Sequence, residues 1–445
     1  MSQTMALNRL GSIFLVLFLL FCVAVIVNAE NDTAEDEYWK ERAAVAMKIA
    51  EESVHPNPQE VTEEINADVH ELIMGQNSTK RKLRGSKGYD GPCEATNPID
   101  ACWRCDPDWA DNREKIVDCV KGFGKKTTGG KGGPIYIVTD DSDDDIVNPK
   151  PGTLRDAVIQ KGPLWIIFEH SMVIRLQQEL MVSSDKTIDG RGANVVIAFG
   201  GGITLQYVKN IIITNIHVKD IDSKAGGMIR DCVDHFGFRT RSDGDGISLF
   251  GASNVWIDHV SMARCDDGLI DAIMSSTAIT ISNSHFTDHN EAMLFGASNS
   301  YSQDKIMQVT VAFNHFGQGL IQRMPRCRFG FFHVVNNDYT HWIMYAIGGN
   351  MNPTIISQGN RYIAPESHVA KEVTKREYTD ESEWKHWNWR SEGDLMVNGA
   401  YFVESGDPNV AKSEKIEMLP FKPGTLASTL TRFSGALECC VGQPC

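Results

Sequence analysis

Short β-rich runs return along this chain at a nearly constant step. They are Trp165-Ile-Ile-Phe168, Val195-Val-Ile197, Ile211-Ile-Ile213, Val255-Trp-Ile257, Ile279-Thr-Ile281, Val309-Thr-Val311, Phe331-Phe-His-Val-Val335 and Thr354-Ile-Ile356. Turn residues separate them. Aligned equivalent positions are Val218, Met262, Phe286, Phe316, Tyr339 and Tyr362, at steps of 44, 24, 30, 23 and 23 residues. The first step reads as two turns of 22, and the 30 as one turn carrying an insertion around Gly296 to Lys305. Little room is left for βαβ helices, and the tight hairpin signals of an antiparallel sandwich are missing. The period predicts an all-β parallel β-helix, each turn stacked on the one before. Asn210, Asn215, Asn254, Asn283, Asn314 and Asn337 recur beside the strands, where stacked turns can form side-chain ladders.

The N-terminus reads differently. Arg9, an apolar run from Ile13 to Val27 and the small residues of Val27-Asn28-Ala29 make residues 1–29 a signal peptide. The run of 15 is short for a membrane anchor, and Glu30 and Asp32 follow it directly. No membrane association is therefore expected after cleavage, and the protein is expected to be secreted. Residues 30–89 form an acidic extension. Between 30 and 78 there are 13 acidic and 3 basic residues. Helical segments are predicted around Ala43 to Ala50 and Val61 to Met74, broken by His55-Pro-Asn-Pro58, in a solvated stretch. Sequons stand at Asn31 and Asn77, and Lys80-Arg-Lys-Leu-Arg84 reverses the charge. Residues 90–445 carry the repeating domain. Eleven cysteines, one of them in the signal, leave an even ten for an exported chain, which favours disulfides. Cys93 and Cys119 are the nearby partners expected for Cys102-Trp-Arg-Cys105.

The net charge is −15, from 43 basic and 58 acidic residues. Nucleic acid is a poor partner for such a chain. An anionic substrate would need a local basic cluster or a metal ion. Both are present as candidates. Asp243 and Asp245 precede a strand, and Asp267 and Asp271 follow about one coil later. Stacked coils would bring these four carboxylates to one surface, where they repel unless a cation intervenes. Oxygen ligands without His or Cys suit Ca2+. Each Asp-Gly pair alone would be only a turn. The basic cluster is Gln322-Arg323-Met-Pro325-Arg326-Cys-Arg328, with Pro325 predicting a bend. Arginine suits carboxylate recognition. Gly129-Gly-Lys-Gly-Gly133 lacks the Lys-Ser/Thr of a phosphate loop and reads as a flexible turn.

At this point longer strings match a family. The chain closely resembles plant pectate lyases, kin to bacterial pectate lyases and cedar-type pollen allergens. The matching strings include Arg239-Thr-Arg-Ser-Asp-Gly-Asp245, Asn254-Val-Trp-Ile-Asp-His259, Asp267-Gly-Leu-Ile-Asp271, Val311-Ala-Phe-Asn-His-Phe-Gly317 and Gln322 to Arg328. The resemblance covers about residue 90 to the end, and Tyr38 to Met74 looks like the extension of some plant members. It implies a right-handed parallel β-helix and calcium-dependent β-elimination of de-esterified homogalacturonan, the pectin backbone, in the cell wall. It further implies Asp243, Asp245, Asp267 and Asp271 as calcium ligands and Arg323 as the base that takes the C5 proton. Arg326 and Arg328 would hold substrate carboxylates, with Asp258 and His259 as structural support. No partner chain is needed, so a monomer is expected. Arginine holds its proton to a pKa of about 12.5 or more, so an alkaline optimum is expected.

One position departs from the pattern. Many members carry Lys where this chain has Glu291 in His289-Asn-Glu291. That departure supports a rival reading, a pectin-binding, allergen-like wall protein with weak or no catalysis. A hydrolase using paired carboxylates is a third reading, but the Gly-His-Gly and Arg-x-Lys strings of polygalacturonases are missing. A lyase preferring methyl esters would not need the calcium ligands.

Overall fold

In the structure, a computed structural model, each turn of chain contributes one strand to each of three parallel sheets. It describes residues 37–78, 93–408 and 423–445. The signal segment, the Asn31 sequon and the basic stretch 80–84 lie outside them. One sheet has ten strands, from Ile135–Val138 to Trp389–Glu392; the others have nine and eight. A representative coil runs through Ser253–Asp258, Ser261–Cys265 and Ile270–Ile273, and the next begins at Thr277–Ser282. The coil is the right-handed β-helix that parallel strands joined by crossovers favour. Among the described residues, no helix is long and apolar enough to cross a membrane.

The periodic alignment is reproduced in the strand register. Val218, Met262, Phe286, Phe316, Tyr339 and Tyr362 stand opposite one another in successive coils of the nine-stranded sheet. Inside the helix, Phe286, Phe316, Tyr339 and Tyr362 stack at centroid distances of 5.3, 4.5 and 4.6 Å. One step was misassigned. The 44 residues between Val218 and Met262 are a single coil, not two, because these residues pair directly. The surplus is an antiparallel hairpin, Gly227–Cys232 with His235–Arg239. The 30-residue step does carry its insertion, a short helical turn at Ser302–Ile306.

Only part of the asparagine series forms a ladder. Asn314 Nδ2 donates to Asn337 Oδ1, and Asn337 Nδ2 to Asn360 Oδ1, both at 3.0 Å. Asp394 ends the ladder by accepting from Asn360 at 3.1 Å. Asn210 and Asn215 instead hold the backbone of Gly129 and Leu437.

The outer face of the ten-stranded sheet is covered. The glycine-rich stretch is a pressed strap there and not a flexible turn. Gly124 and Gly130 donate their N–H groups to Thr280 and Thr187 hydroxyls at 2.9 Å. A Cβ on Gly130 would fall 2.0 Å from the Leu164 carbonyl oxygen, so only glycine permits this approach. The chain divides into two compact units, residues 1–45 and 46–445. Residues 37–45 of the first are helical. In the second, the helix Pro58–Ser78 follows the proline break as expected, but it is not solvated all round. Val61, Ile65 and Val69 are buried, Val61 packs with Phe331 and Ile356, and Asp68 pairs with Lys121 at 2.9 Å.

The cysteines pair less completely than their even number predicts. Cys93–Cys105 and Cys102–Cys119 join the expected partners, and Cys439–Cys445 closes the C-terminus. Cys265, Cys327 and Cys440 stay as thiols. Cys327 shows why: it points into the apolar core, where a thiol packs as a small hydrophobe.

Candidate active site

The eight-stranded sheet gathers the acidic and basic candidates. Asp243 and Asp245 lie on the turn before Ile247–Phe250, and Asp267 on the turn before Ile270–Ile273. These strands are neighbours, with Ser248 opposite Asp271. Asp245 accepts the Ser248 hydroxyl at 2.5 Å and the Gly268 N–H at 2.8 Å. Asp271 accepts the Leu294 N–H at 3.2 Å. A Cβ on Gly268 would lie 2.2 Å from Asp271 Oδ1 and 3.1 Å from Asp245 Oδ1. The two carboxylate oxygens therefore share a small cradle that the bare glycine leaves open.

The electrostatics agree with crowding. Burial, then the charges of Asp267 and Asp243, push the Asp245 carboxyl up to about 6. Burial, Asp245 and Asp267 raise Asp271 well above its ordinary value. Asp267 is raised by burial and by Asp243. Adjacent acids that hold protons this strongly are short of positive charge. An all-oxygen donor set around an open cradle fits a hard divalent ion. Among the described residues, no three His, Cys, Asp or Glu side chains converge at metal-binding geometry. The four aspartates are thus neighbours and not a closed ligand shell. Asp266 is occupied elsewhere, accepting the Ser223 N–H at 2.8 Å.

The arginines lie further along the same sheet. Arg326–Arg328 pairs with Met293–Phe295, which pairs with Ile270–Ile273. Asp271, Leu294 and Arg326 stand in one row, so Asp271 and Arg326 are two strand spacings apart, about 10 Å. The expected bend before the strand is a cis Met324–Pro325 bond. Arg323 precedes it with φ of 62°.

All three guanidinium groups have partners. Arg323 Nη2 stands 2.8 Å from Glu291 Oε1. Arg326 Nε stands 2.8 Å from Glu377 Oε2. Arg328 donates to Asn299 Oδ1 at 3.0 Å and to the Gly296 carbonyl at 2.5 Å. Burial and the charges of Arg326 and Arg323 bring Arg328 down to about 10. Arg323 lies within electrostatic reach of both groups, steadying the ionised forms of Asp267 and Asp271 while opposing the charge on Arg328.

Sequence reasoning singled out Glu291 but missed Glu377 and Asn299. Glu377 lies 51 residues beyond Arg326, on a turn two coils later, and nothing in the periodicity marks it. Asp258 and His259 stand apart from the site. His259 is fully buried, with Nε2 at 2.8 Å from Asp100 Oδ1 and Nδ1 at 2.9 Å from the Gly435 carbonyl. This network ties both ends of the domain to the ten-stranded sheet.

Comparison with known proteins bears on what such a site does. Residues 166–400 match the family described as Pectate lyase, and residues 33–83 match Pectate lyase, N terminus. A pectate lyase of Lilium longiflorum is 60% identical over 97% of this chain and 99% of its own. One of Zinnia elegans is 56% identical over 90% of this chain and 97% of its own. Among solved structures, jun a 1, the major allergen from cedar pollen, superposes with a TM-score of 0.73 at 44% identity, covering 77% of this chain and 99% of that one.

Proposed function

The chain belongs to the pectate lyase family, and from that membership we propose that it cleaves de-esterified homogalacturonan by calcium-dependent β-elimination. The observation that carries this reading is the place of Arg323, between an oxygen-only carboxylate cluster and two further arginines on one sheet face.

In this reading the polymer lies along the outer face of the eight-stranded sheet. Arg326 and Arg328 hold its carboxylates and so fix its register. Arg323 takes the proton from C5 of one galacturonate. The electron pair left at C5 forms the C4–C5 double bond, and the C4–O bond breaks. The leaving oxygen takes a proton from water, giving a new reducing end and a 4,5-unsaturated uronate. A calcium ion held by Asp243, Asp245, Asp267 and Asp271 would supply the positive charge that acidifies the C5–H bond and lets an acidic protein take an acidic polymer. Residues 1–29 are read as a cleaved signal, 30–89 as an extension and 90–445 as the catalytic domain of a monomeric, secreted cell-wall enzyme.

A second reading, pectin binding with weak catalysis, draws on one contact. The Glu291–Arg323 ion pair must open before Arg323 can reach a substrate.

The test is the ultraviolet absorbance of unsaturated uronate. Purified mature protein is mixed with polygalacturonate at alkaline pH with calcium, then with chelator, beside Arg323→Lys. Absorbance should rise with calcium and vanish with chelator and in the variant. A flat trace from folded wild-type protein would favour the binding reading.

A further inference from the structure

Asp271, Ser248 and Thr204 stand in one row across successive strands of the eight-stranded sheet. In the other direction the same row leads through Leu294 to Arg326, so Thr204 and Arg326 are four strand spacings apart, about 19 Å. The arginines thus flank the aspartates on one side of the row. On the other side the row meets the antiparallel hairpin formed by Gly227–Cys232 and His235–Arg239. Arg239 Nε donates to Glu179 Oε1 at 2.8 Å, and Glu179 Oε2 accepts the Thr204 hydroxyl at 2.7 Å. The hairpin packs against Leu180–Met181, the strand at that end of the sheet. Its base runs into the acidic turn, where Ser242 donates its N–H to the Lys224 carbonyl at 2.9 Å and Asp243 follows.

The two faces of this hairpin differ. Ile229 and Gly237 oppose one another and are buried. On the other face Met228 opposes Phe238 and Arg230 opposes Phe236. Met228, Phe236 and Phe238 are 42%, 45% and 64% exposed. Arg230 lies over the Phe236 ring at 5.1 Å and is tied to the Val147 and Val233 carbonyls, which fixes its place. Three neighbouring apolar side chains on one outward face make a patch, where scattered exposure would need no explanation. The patch continues the row that carries the aspartates and arginines, so a polymer lying along that row reaches it.

A galacturonate ring offers what such a patch takes. Its C3, C4 and C5 hydrogens make one side of the ring a surface of C–H groups, while the carboxylate and hydroxyls project from the rim. The electron-rich face of a phenyl ring attracts C–H groups and repels a carboxylate. This contact needs neither calcium nor arginine.

We propose that Phe238, flanked by Met228, is a stacking platform for a galacturonate ring of the substrate beyond the aspartates, on the side away from Arg326. Phe238 takes no part in the chemical step; it lengthens the stretch of polymer that the site grips. The inference rests on the lyase reading above, which supplies the polymer.

Phe238→Ala removes the ring from an exposed position. In the calcium-loaded enzyme, kcat/KM on polygalacturonate should fall about threefold to tenfold, through KM, the range of one aromatic contact. Trigalacturonate bound at Arg323 ends short of the hairpin, so the ratio of polymer to trimer kcat/KM should fall by the same factor. Phe238→Tyr keeps the aromatic face and should restore the ratio. The factor should be the same at low and high salt, because stacking is not screened as ion pairs are. An unchanged ratio in Phe238→Ala overturns the proposal. So does an equal loss on polymer and trimer, which would mean that the ring merely holds the hairpin and the acidic turn in place. Dimers of wild type that Phe238→Ala abolishes, with polymer kinetics unchanged, would assign the patch to a second copy of this chain instead. Wild-type protein that makes no unsaturated product defeats the lyase reading. Retardation in a polygalacturonate gel then decides the platform: weaker retardation of Phe238→Ala upholds it, and equal retardation overturns it.

Discussion

The Arg323 guanidinium is held 2.8 Å from the Glu291 carboxylate, with the two side chains 19% and 26% exposed. Gln322 opposes Glu291 in the strand register and donates weakly to it at 3.4 Å. An amide at 291 could keep that neighbour but not the ion pair. A pair at this exposure is worth on the order of 1 kcal/mol. If substrate must displace it, Glu291→Gln should lower KM for polygalacturonate about fivefold and weaken the dependence of KM on salt. Initial rates across substrate and salt concentration check this. A higher KM would mean that Glu291 assists substrate binding.

The carboxylate cluster makes a prediction about stability that needs no substrate. Asp245 titrates near 6 in the fold, above its ordinary 3.8, and Asp271 is raised as well. A raised folded pKa means that the native state binds the proton more tightly than the unfolded chain does. Its stabilising contribution is full below about pH 4 and is lost as pH rises through about 6. In chelator, Asp245→Asn should therefore flatten the fall in Tm between pH 4 and 7 relative to wild type. Added calcium should raise wild-type Tm by a few degrees at pH 8 and not at pH 4, where protons occupy the carboxyls. Thermal melts at the two pH values decide it.

The architecture was legible because a coil stacked on a coil repeats its buried positions. Phe286, Phe316, Tyr339 and Tyr362 could be aligned by counting, and they stack as the count requires. The hairpin Gly227–Arg239 defeated the count, since 44 residues divide as readily into two coils as into one coil with an excursion. The aspartates were legible for the same reason as the core. Asp243 and Asp267 are 24 residues apart, one more than the 23-residue offset of the strands they precede. The partners of the arginines were not. Glu377 and Asn299 lie on excursions outside the repeat, where contacts depend on how each loop folds back.

The asparagine ladder carries load at one point more than others. The Asn337 side chain takes part in four hydrogen bonds: its Oδ1 accepts from Asn314 N–H and Nδ2, and its Nδ2 donates to Asn360 Oδ1 and the Val311 carbonyl. It is fully buried. Asn337→Ala would strand the Asn314 donors and the Val311 carbonyl without water to replace them. A loss of about 2–4 kcal/mol is expected, from two or so unsatisfied groups. Denaturant unfolding measures it, and a loss below about 0.5 kcal/mol would place the ladder outside the stability of the coil.

His259 should separate stability from chemistry. Burial opposes a charged imidazole, but Asp100 and Asp258 outweigh it and raise His259. Asp100, also fully buried, is held low despite burial by His259 and Arg104. His259 thus contributes stability that is full below its ordinary 6.5 and is lost as pH rises through the raised value. His259→Ala leaves the Asp100 charge one partner short and strands the Gly435 carbonyl. Removing one member of a buried pair costs about 3–5 kcal/mol. Because His259 belongs to the ten-stranded sheet side and the candidate site to the eight-stranded sheet, folded variant should keep wild-type kcat and KM at low temperature. Its Tm should drop by many degrees, and by more at pH 6 than at pH 9, where wild type has already lost part of the same contribution. A folded variant with reduced kcat would instead place the network in the catalytic machinery.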